Sequence, residues 1–198
     1  MWLFDVPMHH KVFTGRPKWA DNYWTHTRVM RLFGDLEGIN DVRKRSDILY
    51  RVEPGIGFGR VLVQANTLIN DPEIRRADLG KMLANLVPGQ HVGLKVKANA
   101  VRTVNKTINN VVKTSREGLG IDNIEKWFFD STRESLEDIK LYNIEFGIER
   151  QRSFPISVVT IDATATVADT QTLINVITEG IGRAKAFGCG LISVRLVK

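Results

Sequence analysis

The sequence predicts an α+β chain of two tandem ferredoxin-like (RRM-like) βαββαβ units, and three observations predict it. Strand and helix patterns alternate in the order β-α-β-β-α-β and then run through the same order again within 198 residues. The cleanest alternation of apolar and polar residues, His91 to Asn99, falls at the midpoint. A content of 43% hydrophobic and 25% charged residues, with no low-complexity tract, is that of an ordinary globular protein and argues against disorder. No residue-by-residue repeat relates the halves, so the duplication is architectural, with units at residues 1–99 and 100–198.

Met1 to Val6 reads as an apolar strand. A polar connection through His9, His10, Lys11, Gly15 and Pro17 leads to a helix over 22–33, with Asp21 as N-cap and Gly34 as stop. Strands follow at 48–53 and 60–65, separated by Pro54-Gly55 and the Gly57/Gly59 turn. Asp71-Pro72 opens a second helix that runs to Leu86 and ends at Pro88-Gly89. His91 to Asn99 closes the first unit: Val92, Leu94, Val96 and Ala98 form a core face, Gly93, Lys95, Lys97 and Asn99 a basic one.

In the second unit, 101–113 reads as an irregular strand, 121–132 as a helix, and 140–149 with 156–166 as a hairpin. A helix over 169–179 carries the stripe Leu173, Ile174, Val176 and Ile177. The last strand, 191–197, turns Ile192, Val194 and Leu196 inward. In such units helices cover one sheet face and leave the other free to bind.

A net charge of +6 suits an anionic partner such as nucleic acid. From Lys81 to Arg116 there are seven cations and no acid, whereas surface charge normally mixes signs. Lys81 reads as solvated; Lys95, Lys97, Arg102, Lys106, Lys113 and Arg116 read as a binding surface. Arg150 and Arg152 form a second basic feature at a hairpin tip, and arginine pairs bidentately with phosphate or guanine. The segment 122–138 is acidic and is expected to face away; Arg43-Lys44-Arg45 is assigned nothing.

The single cysteine, Cys189, excludes an intramolecular disulfide and has no base paired with it, so it reads as a small loop residue. Asp5 and Pro7 interrupt any signal-peptide core, and no apolar run approaches the ~20 residues that span a bilayer. A cytoplasmic protein with no membrane partner is expected. His9 and His10 cannot face one way in regular structure, and no Cys/His/Asp cluster has ligand spacing, so neither a metal nor another cofactor is expected.

The stretch Gly180-Ile181-Gly182-Arg183-Ala184-Lys185-Ala186-Phe187-Gly188-Cys189-Gly190 holds four glycines and two cations. Such a backbone reaches conformations closed to other residues and admits another backbone, an anionic one being the expected guest. It follows a helix and precedes a strand, which is the reverse of a dinucleotide fingerprint, and no Gly-Lys-Ser/Thr completes a Walker loop. On the first helix, Tyr23 and His26 stand three positions apart and can meet on one side. His26 shares its arc with Val29, Met30 and Phe33, so the residues alone leave two readings open: a core histidine, or a group working at a cleft edge.

Gly-hydrophobic-Gly, five residues holding Arg183 and Lys185, then Gly-hydrophobic-Gly resembles the signature loop of the repeat-associated RNA-binding proteins of CRISPR systems. Within them the wording resembles CasE, the precursor crRNA endoribonuclease of the type I-E Cascade complex. Tyr23-x-x-His26 with Leu32-Phe33 is similar to that family's first helix. Leu94-Lys95-Val96-Lys97-Ala98-Asn99 is similar to its basic strand, although Ala100 stands where the family often has Pro.

The resemblance covers essentially the whole chain. It implies a metal-independent enzyme that cuts a CRISPR repeat beside its hairpin by 2′-hydroxyl attack, leaving a 2′,3′-cyclic phosphate and a 5′-hydroxyl. It implies His26 as general acid or base and Tyr23 as its partner or as a hydrogen-bond donor to the reacting atoms, without deciding which does which. It places Arg150 and Arg152 in a hairpin that enters the RNA stem, and Gly182, Arg183, Lys185, Gly188 and Gly190 in the RNA-binding loop. The expected partners are the repeat hairpin, mature crRNA and other Cascade subunits. A non-catalytic RNA-binding subunit of the same fold, or an unrelated ferredoxin-like interaction or small-ligand domain, would share the basic surface without the chemistry.

Overall fold

The computed structural model describes residues 1–15, 22–34, 48–55, 59–108, 111–150 and 155–197. Pro17, Asp21, Gly57, Arg152 and the Arg43-Lys44-Arg45 run lie outside the described residues. Strand β1 (Trp2–Pro7), helix α1 (Asn22–Arg31) and strands β2 (Leu49–Glu53), β3 (Arg60–Ala65) and β4 (Arg75–Asp78) come first. The strands form an antiparallel sheet in the order β2-β3-β1-β4. Phe4, Val6, Tyr50, Val61, Val63 and Ala65 turn one face of it onto Val29 of α1 and onto Phe13.

The helix expected over 71–86 is a strand and a short helix instead. Asp71 caps a turn, its Oδ1 accepting the Glu73 N–H at 3.0 Å, and β4 then pairs with Trp2–Asp5 of β1. Helix α2 (Leu79–Leu83) begins only after Asp78, whose Oδ1 accepts the Lys81 N–H at 3.0 Å. Local propensity yields here to the unpaired edge of β1, whose backbone groups need partners.

The second unit contains β5 (His91–Ala98), β6 (Val101–Ile108), β7 (Val111–Gly118), α3 (Ile121–Thr132), β8 (Leu136–Arg150), β9 (Pro155–Val167), α4 (Thr170–Glu179) and β10 (Ile192–Leu196). Its antiparallel sheet has the order β10-β5-β9-β8. The strand expected to close the first unit therefore opens the second. Its faces are those the alternation predicts: Val92, Leu94, Val96 and Ala98 lie in one core with Ile124 and Phe128 of α3 and Leu173 and Ile177 of α4. Membership differs because β4 already occupies the edge of the first sheet. The irregular strand expected at 101–113 is the first arm of a separate hairpin, β6–β7, and Leu196 is 51% exposed rather than inward.

The first sheet's other face is not free. Leu49 and Leu62 pack on Leu191 of the second unit, and the Gln64 side-chain amide donates to the Ile177 carbonyl at 3.0 Å. Arg51, 3% exposed, crosses the seam. Its Nη1 donates to the carbonyls of Lys95 (3.0 Å) and Leu191 (3.1 Å), and its Nη2 to Ser193 Oγ (2.7 Å) and Glu53 Oε1 (2.7 Å). Arg60 Nε donates to the other Glu53 oxygen at 2.7 Å. Among the described residues no helix is long and apolar enough to cross a membrane.

Burial pushes the Glu53 carboxyl up, but hydrogen bonds and charge from Arg51 and Arg60 together outweigh it and hold the group below its ordinary range. The folded value lies under the unfolded one, so the Glu53 contribution is full above the unfolded value and is lost as pH falls through the folded one. Glu53→Gln leaves a buried guanidinium without its counter-charge and is expected to cost about 3 kcal/mol at neutral pH in urea unfolding. The gap from wild type should close in acid, where the native carboxyl is itself protonated; a gap that persists unchanged there would contradict this account of the seam.

Candidate active site

Helix α1 presents Tyr23 40% exposed and His26 half-buried. Two aromatic rings neighbour the His26 ring. Tyr50 of β2 is 6.4 Å away, centroid to centroid, at 27°, and Phe187 of the glycine-rich loop is 6.4 Å away at 61°. Tyr50 is itself 2% exposed. Its hydroxyl donates to the Ala186 carbonyl at 3.0 Å and lies 3.5 Å from the Asn22 carbonyl oxygen. The two motifs that stood out in the sequence, Tyr23-x-x-His26 and the glycine-rich loop, thus meet over one tyrosine.

The loop folds onto its own protein. A Cβ on Gly180 would stand 2.6 Å from the Gly190 carbonyl oxygen, and one on Gly188 would stand 3.0 Å from the Tyr50 ring. Gly188 has φ +77°, a left-handed conformation that L side chains adopt only at a cost. Gly188 and Gly190 are buried, while Gly182 and Arg183 are exposed. Lys185 Nζ donates to the Glu179 carbonyl at 2.6 Å, at the C-terminus of α4. Cys189 is fully buried, which is the main reason its thiol is pushed up to about 12; a thiol that stays protonated at neutral pH is no nucleophile.

The end of β5 gathers the remaining pieces. Gly190 N–H donates to the Lys97 carbonyl at 2.7 Å, Arg183 N–H to the Asn99 carbonyl at 3.3 Å, and Asn99 Nδ2 to the Ser157 carbonyl of β9 at 2.7 Å. Gly118, the last residue of β7, backs onto Ser157. The glycine-rich loop and the bases of both hairpins, β6–β7 and β8–β9, therefore converge on one strand end.

The cations divide in two groups. Arg102, Lys113 and Arg116 project from the β6–β7 hairpin, with Arg102 3.7 Å from Glu117. Lys106 stands in register with Lys113, and Arg150 ends β8 in register with Pro155. On β5 the basic face is largely neutralised: Lys97 is buried and pairs with Glu149 at 2.7 Å, and the half-exposed Lys95 stands 3.8 Å from Asp162.

The CRISPR associated protein family profile matches residues 1–195. The chain belongs to the CRISPR associated protein family. Similar solved structures include Cas6e from Escherichia coli str. K-12, 20% identical over 98% of both chains with a TM-score of 0.71. The CRISPR endoribonuclease Cse3 bound to a 19-nucleotide RNA is 21% identical over 98% of this chain and 100% of its own, with a TM-score of 0.68. A chain of a CRISPR RNA-guided surveillance complex before nicking is 24% identical over the full length of both, with a TM-score of 0.70. At these identities the likeness establishes the fold, two ferredoxin-like units in one chain. No curated protein matches the sequence.

Sequence reading of this CRISPR associated protein missed Tyr50 and Phe187, because a tyrosine in a strand and a phenylalanine between glycines carry no local mark of a site. It also missed the group His10, Asp71 and Glu73, whose ligand-type atoms lie within 4.8 Å of one another across a long separation in sequence. The His10 Nδ1 accepts the Val12 N–H at 3.2 Å, so a neutral ring carries its proton on Nε2, 3.2 Å from Asp71 Oδ2. Lys11 Nζ reaches the same oxygen at 3.2 Å. His10 Nε2 is thereby engaged as a donor to Asp71, and these bonds tie the turn after β1 to the 71–73 turn. Gly188→Ala is expected to lower stability by about 1–2 kcal/mol from the left-handed backbone alone, with more from the Tyr50 contact, read as a lower thermal midpoint; an unchanged midpoint would show that the loop does not need this close approach.

Proposed function

We propose that the chain is a metal-independent endoribonuclease that binds the hairpin of a CRISPR repeat, cuts precursor crRNA, and stays on its product as a Cascade subunit. One observation carries the reading: His26 stands against the glycine-rich loop, and that loop shares a strand end with the bases of both hairpins. The fold likeness to Cse3, a CRISPR endoribonuclease bound to RNA, and to a surveillance-complex chain supports it.

In the proposed reaction the 2′-oxygen loses its proton and attacks the adjacent phosphorus. The bond from phosphorus to the 5′-oxygen breaks, and that oxygen takes up a proton. The products are a 2′,3′-cyclic phosphate and a 5′-hydroxyl. Imidazole titrates near neutrality and serves either proton transfer, and we assign one of them to His26. The stacked Tyr50 ring and the edge contact with Phe187 limit the orientations open to it, which lowers the orientational freedom lost on reaching the reactive geometry. Tyr23, one turn earlier and exposed, is assigned as its partner or as a donor to the reacting phosphate.

Arg102, Lys106, Lys113, Arg116, Arg150, Arg152 and Arg183 are assigned to the RNA, together with the exposed Gly182 beside Arg183. Lys95, Lys97, Lys185, Gly188 and Gly190 are assigned to the frame that holds the site, because carboxylates largely withdrawn from water, a carbonyl or the Tyr50 ring already engage them or their neighbours. Incubation of the purified protein with the CRISPR repeat RNA of its own genome in EDTA, beside His26→Ala, tests the reading. Wild type is expected to cut at one site and leave a cyclic phosphate detectable by mass spectrometry. The variant is expected to lose at least about 10²-fold in rate while still binding. Binding without cutting by both proteins would leave an RNA-binding subunit and remove the nuclease.

A further inference from the structure

Asn22 is the first residue of α1 and is 6% exposed. Its side-chain Nδ2 points away from the helix and donates to Glu149 Oε2 at 2.6 Å. The other oxygen of the same carboxylate accepts from Lys97 Nζ at 2.7 Å. The Lys97 side chain is 10% exposed and that of Glu149 27%, so the group is largely withdrawn from water. One carboxylate thereby joins α1, β5 and β8.

Each end of this link leads to the site. The Asn22 carbonyl lies one turn before the His26 N–H, its partner under the i to i−4 pattern of an α-helix. Tyr50, on which the His26 ring stacks, has its hydroxyl 3.5 Å from the same carbonyl. In the other direction, Glu149 is followed directly by Arg150 at the base of the β8–β9 turn. Neutralising Lys97 requires a single oxygen. The second is spent on an amide, and a hydrogen bond to an ionised acceptor is both shorter and stronger than a neutral one.

We propose that Glu149 is a positioning residue: through Asn22 it ties the base of the β8–β9 hairpin to the first turn of α1, and so sets where His26 and Tyr23 stand relative to RNA held by that hairpin. The proposal rests on the endoribonuclease reading for its kinetic consequence, and on geometry alone for its effect on His26. It gives the Lys97–Glu149 pair a role beyond neutralising a buried lysine: the pair is the fixed point from which the catalytic helix is aligned.

The test exchanges the two polar ends. Asn22→Asp keeps the size of the side chain and suits the first turn of a helix, but sets a second carboxylate against Glu149. Combining it with Glu149→Gln restores the link with reversed polarity: the new amide donates to the new carboxylate, while its oxygen still accepts from Lys97. In single-turnover cleavage of repeat RNA at saturating protein, Asn22→Asp is expected to lose about 10- to 100-fold in rate with RNA affinity within about threefold of wild type, and the double variant to regain most of the rate. A structural role alone would not produce recovery by a pair of individually conservative changes.

The His26 ring signal in ¹H–¹³C NMR spectra of the free protein supplies a readout that needs no cleavage. It is expected to move in Asn22→Asp and return in the double variant. A wild type that fails to cut would therefore remove the nuclease reading and still leave the link tested. The proposal is overturned by Asn22→Asp with wild-type cleavage and an unmoved His26 signal, or by a double variant as impaired as the single one.

Discussion

Arg51 reaches out of the first sheet into the second unit, where the Lys95 and Leu191 carbonyls and the Ser193 hydroxyl take its donors and Glu53 balances its charge. A guanidinium at that depth costs several kcal/mol to desolvate unless its partners are in place, so the sheets are held in the placement that satisfies it. His26 belongs to the first unit and Phe187 to the second, and their contact exists only across this seam. Either unit alone would carry half of the site.

The glycine-rich loop does its work in a way its composition does not announce. Four glycines beside two cations suggest a cradle for an anion, yet what approaches the backbone at Gly180 and Gly188 is the Gly190 carbonyl and the Tyr50 ring. Close approach is still the reason for glycine; the guest is the protein itself. The loop is thereby turned into a rigid wall that carries Phe187 to His26 and leaves Arg183 exposed.

Elements with their own periodicity were legible in the sequence. The 121–132 helix and the 60–65 strand lie where the pattern placed them, and the helix expected over 169–179 starts one residue later, with Asp169 as its N-cap. The core face of β5 was legible as well, but its sheet was not, because membership is decided by β9 and β10 far along the chain. The same limit explains Lys97. Alternation shows that it leaves the core side, but nothing local shows that Glu149 waits there to neutralise it. At the site, Tyr23 and His26 could be singled out by type and spacing, whereas Tyr50 is recognisable only when its hydroxyl is seen joined to Ala186.

The most direct measurement is a crystal structure of the protein bound to its repeat RNA with a 2′-deoxy nucleotide at the cleavage position, which blocks attack and holds the complex before reaction. The account predicts the reactive phosphate within about 3 Å of a His26 ring nitrogen, with the stem lying along the β6–β7 and β8–β9 hairpins. A stem seated between the two sheets on Lys95 and Lys97, with His26 out of reach of any phosphate, would contradict it.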